Sequence, residues 1–198
     1  MSTNDKSREL GERAALKLPE GNFHGAGARS VAAQAPFGFL VPAHGGCGAT
    51  TLANHPSIRP ALRETTLTQS LSHQAVVDPA YVVVASATAW GTSRAVRCLH
   101  RLELAGVDGH DLFLVMVRDG RGPMPVAARA RLRLLASVVT DIVLLPHVLR
   151  WRYDAAEPPS RSARYDRAVD DLLRRLTNRH PTTLAASNAA ELTTGVEQ

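Results

Sequence analysis

A chain of 198 residues, 44% hydrophobic and 21% charged, is long enough for one domain with a sizeable core and too apolar to be disordered throughout. No apolar run approaches the roughly 20 residues that span a bilayer, and residues 1–20 hold no hydrophobic signal core, so a soluble cytoplasmic protein without a membrane span is expected. The formal net charge is +5, which favours anionic partners bound with salt-sensitive affinity, although an arginine- and alanine-rich composition also follows from a GC-rich genome.

Residues 1–35 are polar, rich in glycine and alanine, and read as a disordered arm; Leu10, Ala14 and Leu18 recur at helical spacing and suggest one short amphipathic helix within it. The folded domain is placed at residues 36–153. Its first strand-like run is 37–41, followed by a glycine turn and a helix that Pro56 and Pro60 keep short. Further runs at 81–85, 112–117 and 142–145 are short, apolar and almost unbroken, as strands buried on both faces of a parallel sheet are. Between them, residues 93–104 form a helix with Val96, Leu99 and Leu102 inward, Thr92 or Ser93 as its cap and Gly106 as its stop. Residues 126–139 form another, with Ala127, Ala130, Leu134 and Val138 along one stripe.

Pro158 and Pro159 mark a linker at 154–164. A C-terminal helix at 165–179 carries Ala168, Leu172, Leu173 and Leu176, with Arg174 and Arg175 near its end, where the helix dipole favours cations. Residues 180–198 read as a disordered tail. Strands alternating with helices define βαβ units, hence a small three-layer α/β domain with a mostly parallel sheet and flexible tails at both ends. Ligands of such sheets bind beyond the carboxyl ends of the strands. That rule lines up residues 43–51, 86–91, 118–124 and 146–150 along one rim.

The segment "FGFLVPAHGGCGATTLAN" starts at Phe37 and puts Gly45, Gly46 and Gly48 just past a strand. Glycine permits positive φ and close backbone approach. The amides of Gly45, Gly46, Cys47 and Gly48 can then converge on an anion, aided by the start of the following helix. Thr50 and Thr51 follow where a hydroxyl can meet a metal ion or a phosphate oxygen. A ligand-free glycine turn is the alternative reading.

"HGGCGATTLA" resembles the deviant Walker A motif of the ParA/MinD family of P-loop ATPases, K-G-G-x-G-K-T-T. Gly45, Gly46, Gly48, Thr50 and Thr51 match it. His44 stands at the signature lysine, Ala49 at the phosphate-binding lysine, and Ala43 at the opening glycine of the general P-loop. The segment is also similar to one in actinobacterial P-loop-like proteins without assigned activity, A-H-G-G-x-G-x-[ST]-T-L-A. The resemblance implies a P-loop NTPase-like fold and ATP or ADP with Mg2+ as ligands. It implies phosphate contacts from Gly45 through Thr51, Thr50 at the metal and Thr51 at the α-phosphate. It places adenine beside the turns after the last two strands, which fall at Arg118 with Asp119 and at Pro146.

No lysine occurs after Lys17. Loss of such a contact to a transferring phosphoryl group costs ~10²–10³-fold in rate, unless an arginine such as Arg59 or Arg121 replaces it. Asp78 and Asp119 are the carboxylates considered for the Walker B role, with Asp119 better placed after an apolar strand. The expected protein is therefore a pseudo-NTPase adaptor with little or no hydrolysis, working with an unidentified protein partner or as a homodimer. An active ATPase with a substitute arginine is one alternative, and a basic DNA- or RNA-binding accessory protein is another. For the last, Arg94, Arg97 and Arg101 share a helix face, and Arg150 and Arg152 flank Trp151. The spacing of His44, Cys47, His55 and His73 fits no usual zinc pattern, and no nucleophile elbow is present. Cys47 and Cys98 suit a reducing compartment.

Overall fold

The computed structural model describes residues 36–72, 78–120, 122–152 and 161–179. These belong to one structural unit, Ala33–Gln198; the other, Met1–Ala32, lies outside them. The expected N-terminal arm, its amphipathic helix, the C-terminal tail, most of the linker, His73 and Arg121 also lie outside the described residues.

Five strands pair in parallel: β1 (Gly38–Pro42), β2 (Leu62–Glu64), β3 (Ala80–Ser86), β4 (Leu112–Val117) and β5 (Asp141–Leu145). The sheet order is β2-β1-β3-β4-β5. β3 and β4 are buried along almost their whole length because helices cover both faces. Alternate residues point to opposite faces. Leu40, Val82, Val84, Phe113, Val115 and Val143 pack on one side with helices α1 (Ala49–Ala53) and α5 (Ala163–Arg179). Phe39, Val41, Val83, Leu112, Leu114 and Met116 pack on the other. There they meet helix α3 (Ala89–Leu104), the C-terminal part of helix α4 (Val126–Leu135) and Leu67 of helix α2 (Leu67–Ser72).

The faces follow from the direction of winding. From β1 the chain steps outward to β2 through α1. It then passes back over β1 and proceeds the other way through β3, β4 and β5. Crossovers of one hand put the connecting helix on opposite faces when the direction reverses. The reversal leaves a crevice at the carboxyl ends of β1 and β3, the place where doubly wound sheets of this order take their ligands.

Several expectations change in detail. The sheet is wholly parallel among the described strands, and β2 adds an edge strand absent from the expected four. α3 starts at Ala89, because the Thr88 hydroxyl accepts from the Gly91 amide (2.9 Å) and caps it. Thr92 lies buried inside α3, its hydroxyl donating to the carbonyls of Thr88 and Ala89. Gly106 ends the helix with φ 87°. α3 buries Ala95, Cys98, Leu99 and Leu102, while Val96 is exposed. In α4 the inward stripe is Ala128, Leu132 and Leu135, and Leu134 is 73% exposed. α5 begins at Ala163, inside the expected linker, and joins the sheet's own core through Tyr165, Val169, Leu172 and Leu176. No described helix is long and apolar enough to cross a membrane.

Candidate functional site

β1 is an interior strand, flanked by β2 and β3, so the loop after it opens into the crevice rather than at an edge. Gly46 takes φ 70° and Gly48 φ 89°, a region costly for any residue with a β-carbon. Around Gly45 and Gly46 the space where a β-carbon would stand is open to 4 Å. The two αL glycines turn the chain sharply between β1 and α1 and leave the loop surface at Gly45 and Gly46 uncrowded. α1 is only five residues long, so its dipole adds little at the loop.

Cys47 is the buried member of the loop. Burial raises its thiol pKa, and the backbone amides of Ala49, of His44 and of Cys47 itself offset part of that rise. The thiol thus sits where amides gather, and it stays protonated at neutral pH. Ala49 is also buried and packs into the core. Its position therefore gives the chain no cation at the loop.

His44 is tied to the protein rather than offered to a ligand. The Ser86 amide donates to its Nε2 (3.1 Å), with the Ser86 hydroxyl 3.2 Å from the same nitrogen. An amide can only donate, so Nε2 is the acceptor and Nδ1 carries the hydrogen given to the Gly45 carbonyl (2.8 Å). The ring also packs against Trp90, with centroids 4.5 Å apart. His44 thereby pins the start of the loop to the end of β3.

A cavity of about 220 Å³ adjoins the loop. Gly46, Cys47, Gly48 and Thr51 form one wall, Arg118 and Asp119 after β4 a second, and Pro146, His147 and Val148 after β5 a third. Trp151 and Tyr165 complete it, their rings 4.7 Å apart at a steep angle. A second hollow of about 270 Å³ shares Thr51, Trp151 and Tyr165 and continues past Asn54 and His55 toward Asp166 and Asp170. His55 Nε2 lies 3.4 Å from an Asp166 carboxylate oxygen and links the end of α1 to α5.

A third hollow, of about 480 Å³, shares Gly46, Cys47, Gly48 and Thr51 with the first and runs from Pro42 and His44 past Thr50 to Glu64. There the Thr50 hydroxyl donates to a Glu64 carboxylate oxygen at 2.9 Å. Glu64 ends β2, so a hydroxyl and a carboxylate stand side by side at the rim, a donor set suited to a hard divalent cation completed by phosphate oxygens and water.

The fold gathers most of the residues singled out from sequence. Gly46, Cys47, Gly48, Thr51, Asp119 and Pro146 line one cavity, while Gly45, Ala49 and Thr50 line the third hollow. Asp78 precedes β3 and therefore lies at the far end of the sheet from the loop. Arg59 lines none of the three hollows, whereas Arg118 does, with its guanidinium donating to the Gly122 carbonyl (2.8 Å). Glu64 and Tyr165 are additions that only the fold reveals, and Trp151, noted in the sequence between two arginines, joins them at the cavity. Cys47 and Cys98 are free thiols in cores on opposite sides of the sheet, so no disulfide joins them.

This architecture is that of a doubly wound, parallel α/β protein with a glycine loop at its crevice. Comparison with family models, with curated proteins and with solved structures finds no match.

Proposed function

We propose that the chain is a nucleotide-binding protein of the degenerate P-loop kind, ParA/MinD-like in its loop, which holds ATP or ADP with Mg2+ as a pseudo-NTPase adaptor and hydrolyses it little or not at all. The observation that carries this reading is the single cavity in which the loop after β1 faces Arg118, Asp119 and Pro146. Amides of Gly45 through Gly48 receive the phosphates, and Thr51 meets the phosphate nearest the sugar. The base extends toward Pro146, Val148 and Trp151. The Thr50 hydroxyl and the Glu64 carboxylate hold the metal, which supplies charge neutralisation when bound.

Turnover is limited by charge. Phosphoryl transfer needs cations at the departing oxygens. Alanine fills the lysine position, and Arg118, the one arginine among the described residues that line the cavity, already donates to a carbonyl. A protein that binds and does not cleave signals through its bound shape, and an adaptor for a partner chain or a second copy fits that role.

The test is titration calorimetry of the full chain with ATP, ADP, GTP and FMN, with and without magnesium, followed by phosphate-release assays with and without DNA. FMN belongs among the probes because strand order 2-1-3-4-5 also serves flavin mononucleotide binders. The expected result is magnesium-dependent binding of adenine nucleotides, weakened at least tenfold in Thr50→Ala and Glu64→Gln, with no phosphate release above background. Absence of all nucleotide binding, or a preference for FMN, overturns the proposal. Turnover that disappears in Arg118→Gln replaces it with an active ATPase using a substitute arginine.

A further inference from the structure

Two helices of this chain are rich in arginine, and the structure treats them differently. On α5, Arg174 and Arg175 both pair with Asp171, and Arg175 also reaches Asp141 (2.7 Å). On α3, Arg94, Arg97 and Arg101 are exposed and make no ion pair with any described carboxylate. α3 has a single acidic residue, Glu103, which lies 3.8 Å from His100, and none in its first turn. Like charges three and four residues apart repel and destabilise an isolated helix. The row is thus unfavourable for the free protein, and an anionic partner would relieve it.

The row has an aromatic head. Trp90 sits four residues before Arg94 and is 55% exposed. The Arg94 guanidinium lies 5.1 Å from its ring centroid, and His44 packs against it from the loop side. Arg131 of α4 donates to the Ala89 carbonyl (2.7 Å) and brings another cation to the same end. Positions 90, 94, 97 and 101 fall on one helix face and span about 16 Å at 1.5 Å per residue. We propose that this face of α3 binds single-stranded nucleic acid, with an unpaired base stacked on Trp90 and successive phosphates along Arg94, Arg97 and Arg101.

Three features select this partner over other polyanions. A carboxylate-rich protein segment neutralises arginines but offers no flat ring to take the place of the Arg94 guanidinium on the indole. An anionic membrane calls for a continuous apolar band beside the cations, whereas this face carries only Trp90 at its head and Leu104 past its end, with the three arginines between. A duplex has its bases paired and stacked, so none is free for Trp90.

The test is fluorescence anisotropy of a labelled 15-mer oligothymidylate titrated with the full chain at several salt concentrations. Wild type is expected to bind it more tightly than a duplex of equal length. Arg94→Gln, Arg97→Gln and Arg101→Gln combined are expected to weaken binding at least tenfold and to flatten the log–log salt slope by about 2, the contribution of three single-strand phosphate contacts. The corresponding triple lysine variant retains the slope. Trp90→Ala is expected to weaken binding about tenfold, within the range for loss of one stacked base, and Trp90→Phe to keep most of it. The arginines are exposed, so the glutamine variant folds with a thermal midpoint equal to or above that of the wild type, and Trp90→Phe, which keeps an aromatic ring beside His44, separates lost stacking from lost stability. Equal affinity of wild type and variants overturns the proposal, as does equal or tighter duplex binding. So does loss of binding to phosphatidylserine vesicles in the glutamine variant without loss of oligonucleotide binding.

Discussion

His44 makes hydrogen bonds that a lysine in its place could not make. An ammonium group only donates, whereas the Ser86 amide needs an acceptor and finds it in Nε2. His44 therefore serves as an anchor between the loop and the sheet. His44→Ala is expected to leave the Ser86 amide unpaired and to lower stability by about 1–3 kcal/mol, read from urea denaturation. The loop glycines are separable in the same experiment. Gly48→Ala forces a β-carbon into φ 89° beside Val117 and should cost about 1–2 kcal/mol, whereas Gly45, with ordinary φ and open space, should tolerate alanine with little change. At this scale the sequence was most informative about the loop. Three glycines after a strand announce a tight turn, and two of them, Gly46 and Gly48, take positive φ. The anchoring role of His44 was hidden because its partner lies 42 positions away.

Single elements were legible where one physical rule governed them. β4 spans the expected residues because both of its faces are buried and its apolar run is unbroken. β2 escaped notice because it is three residues long, with Arg63 and Glu64 exposed at the sheet edge. The inward stripe of α4 was misassigned because "VAARARLRLL" carries two interleaved apolar rows, and only packing against the sheet chooses between them. α5 was readable as an amphipathic helix, yet nothing local showed that it closes one face of the sheet. Leu172 and Leu176 are fully buried there. Leu172→Ala is expected to cost about 2–5 kcal/mol in denaturant unfolding, a core penalty rather than that of a peripheral helix. The Asp171 carboxyl is held below its ordinary pKa by the Arg175 hydrogen bond, followed by that from Arg174. Its contribution to stability is present above the ordinary carboxylate range and is lost as pH falls through its folded value.

At the scale of the whole molecule, alternation of strands and helices fixed the architecture, while the crevice depended on the winding reversal at β1 that no short segment encodes. Buried thiols and phenols make a further property collective. Burial pushes the Cys98 thiol from 9.0 up to about 11 and raises Cys47 as well, and Tyr81 and Tyr165 move upward for the same reason. Each group keeps its proton longer when folded than when unfolded, so stability falls as pH rises. For Cys98 the loss starts near pH 9 and is complete above about 11, amounting to about 2–3 kcal/mol. Urea midpoints at pH 8 and pH 10.5 should therefore fall less in Cys98→Ala than in the wild type; equal falls would show that another group sets the alkaline limit.

Tyr165 of α5 lines the same cavity as the glycine loop. Any molecule lodged in that cavity grips the last helix of the fold and its first turn at once, like a clasp between two distant parts of one thread. The carboxyl-terminal helix becomes the natural reporter of occupancy. Its resistance to trypsin at Arg164 and Arg167 should rise with ligand, and cleavage that proceeds at one rate whether or not the cavity is filled would show that the clasp does not close.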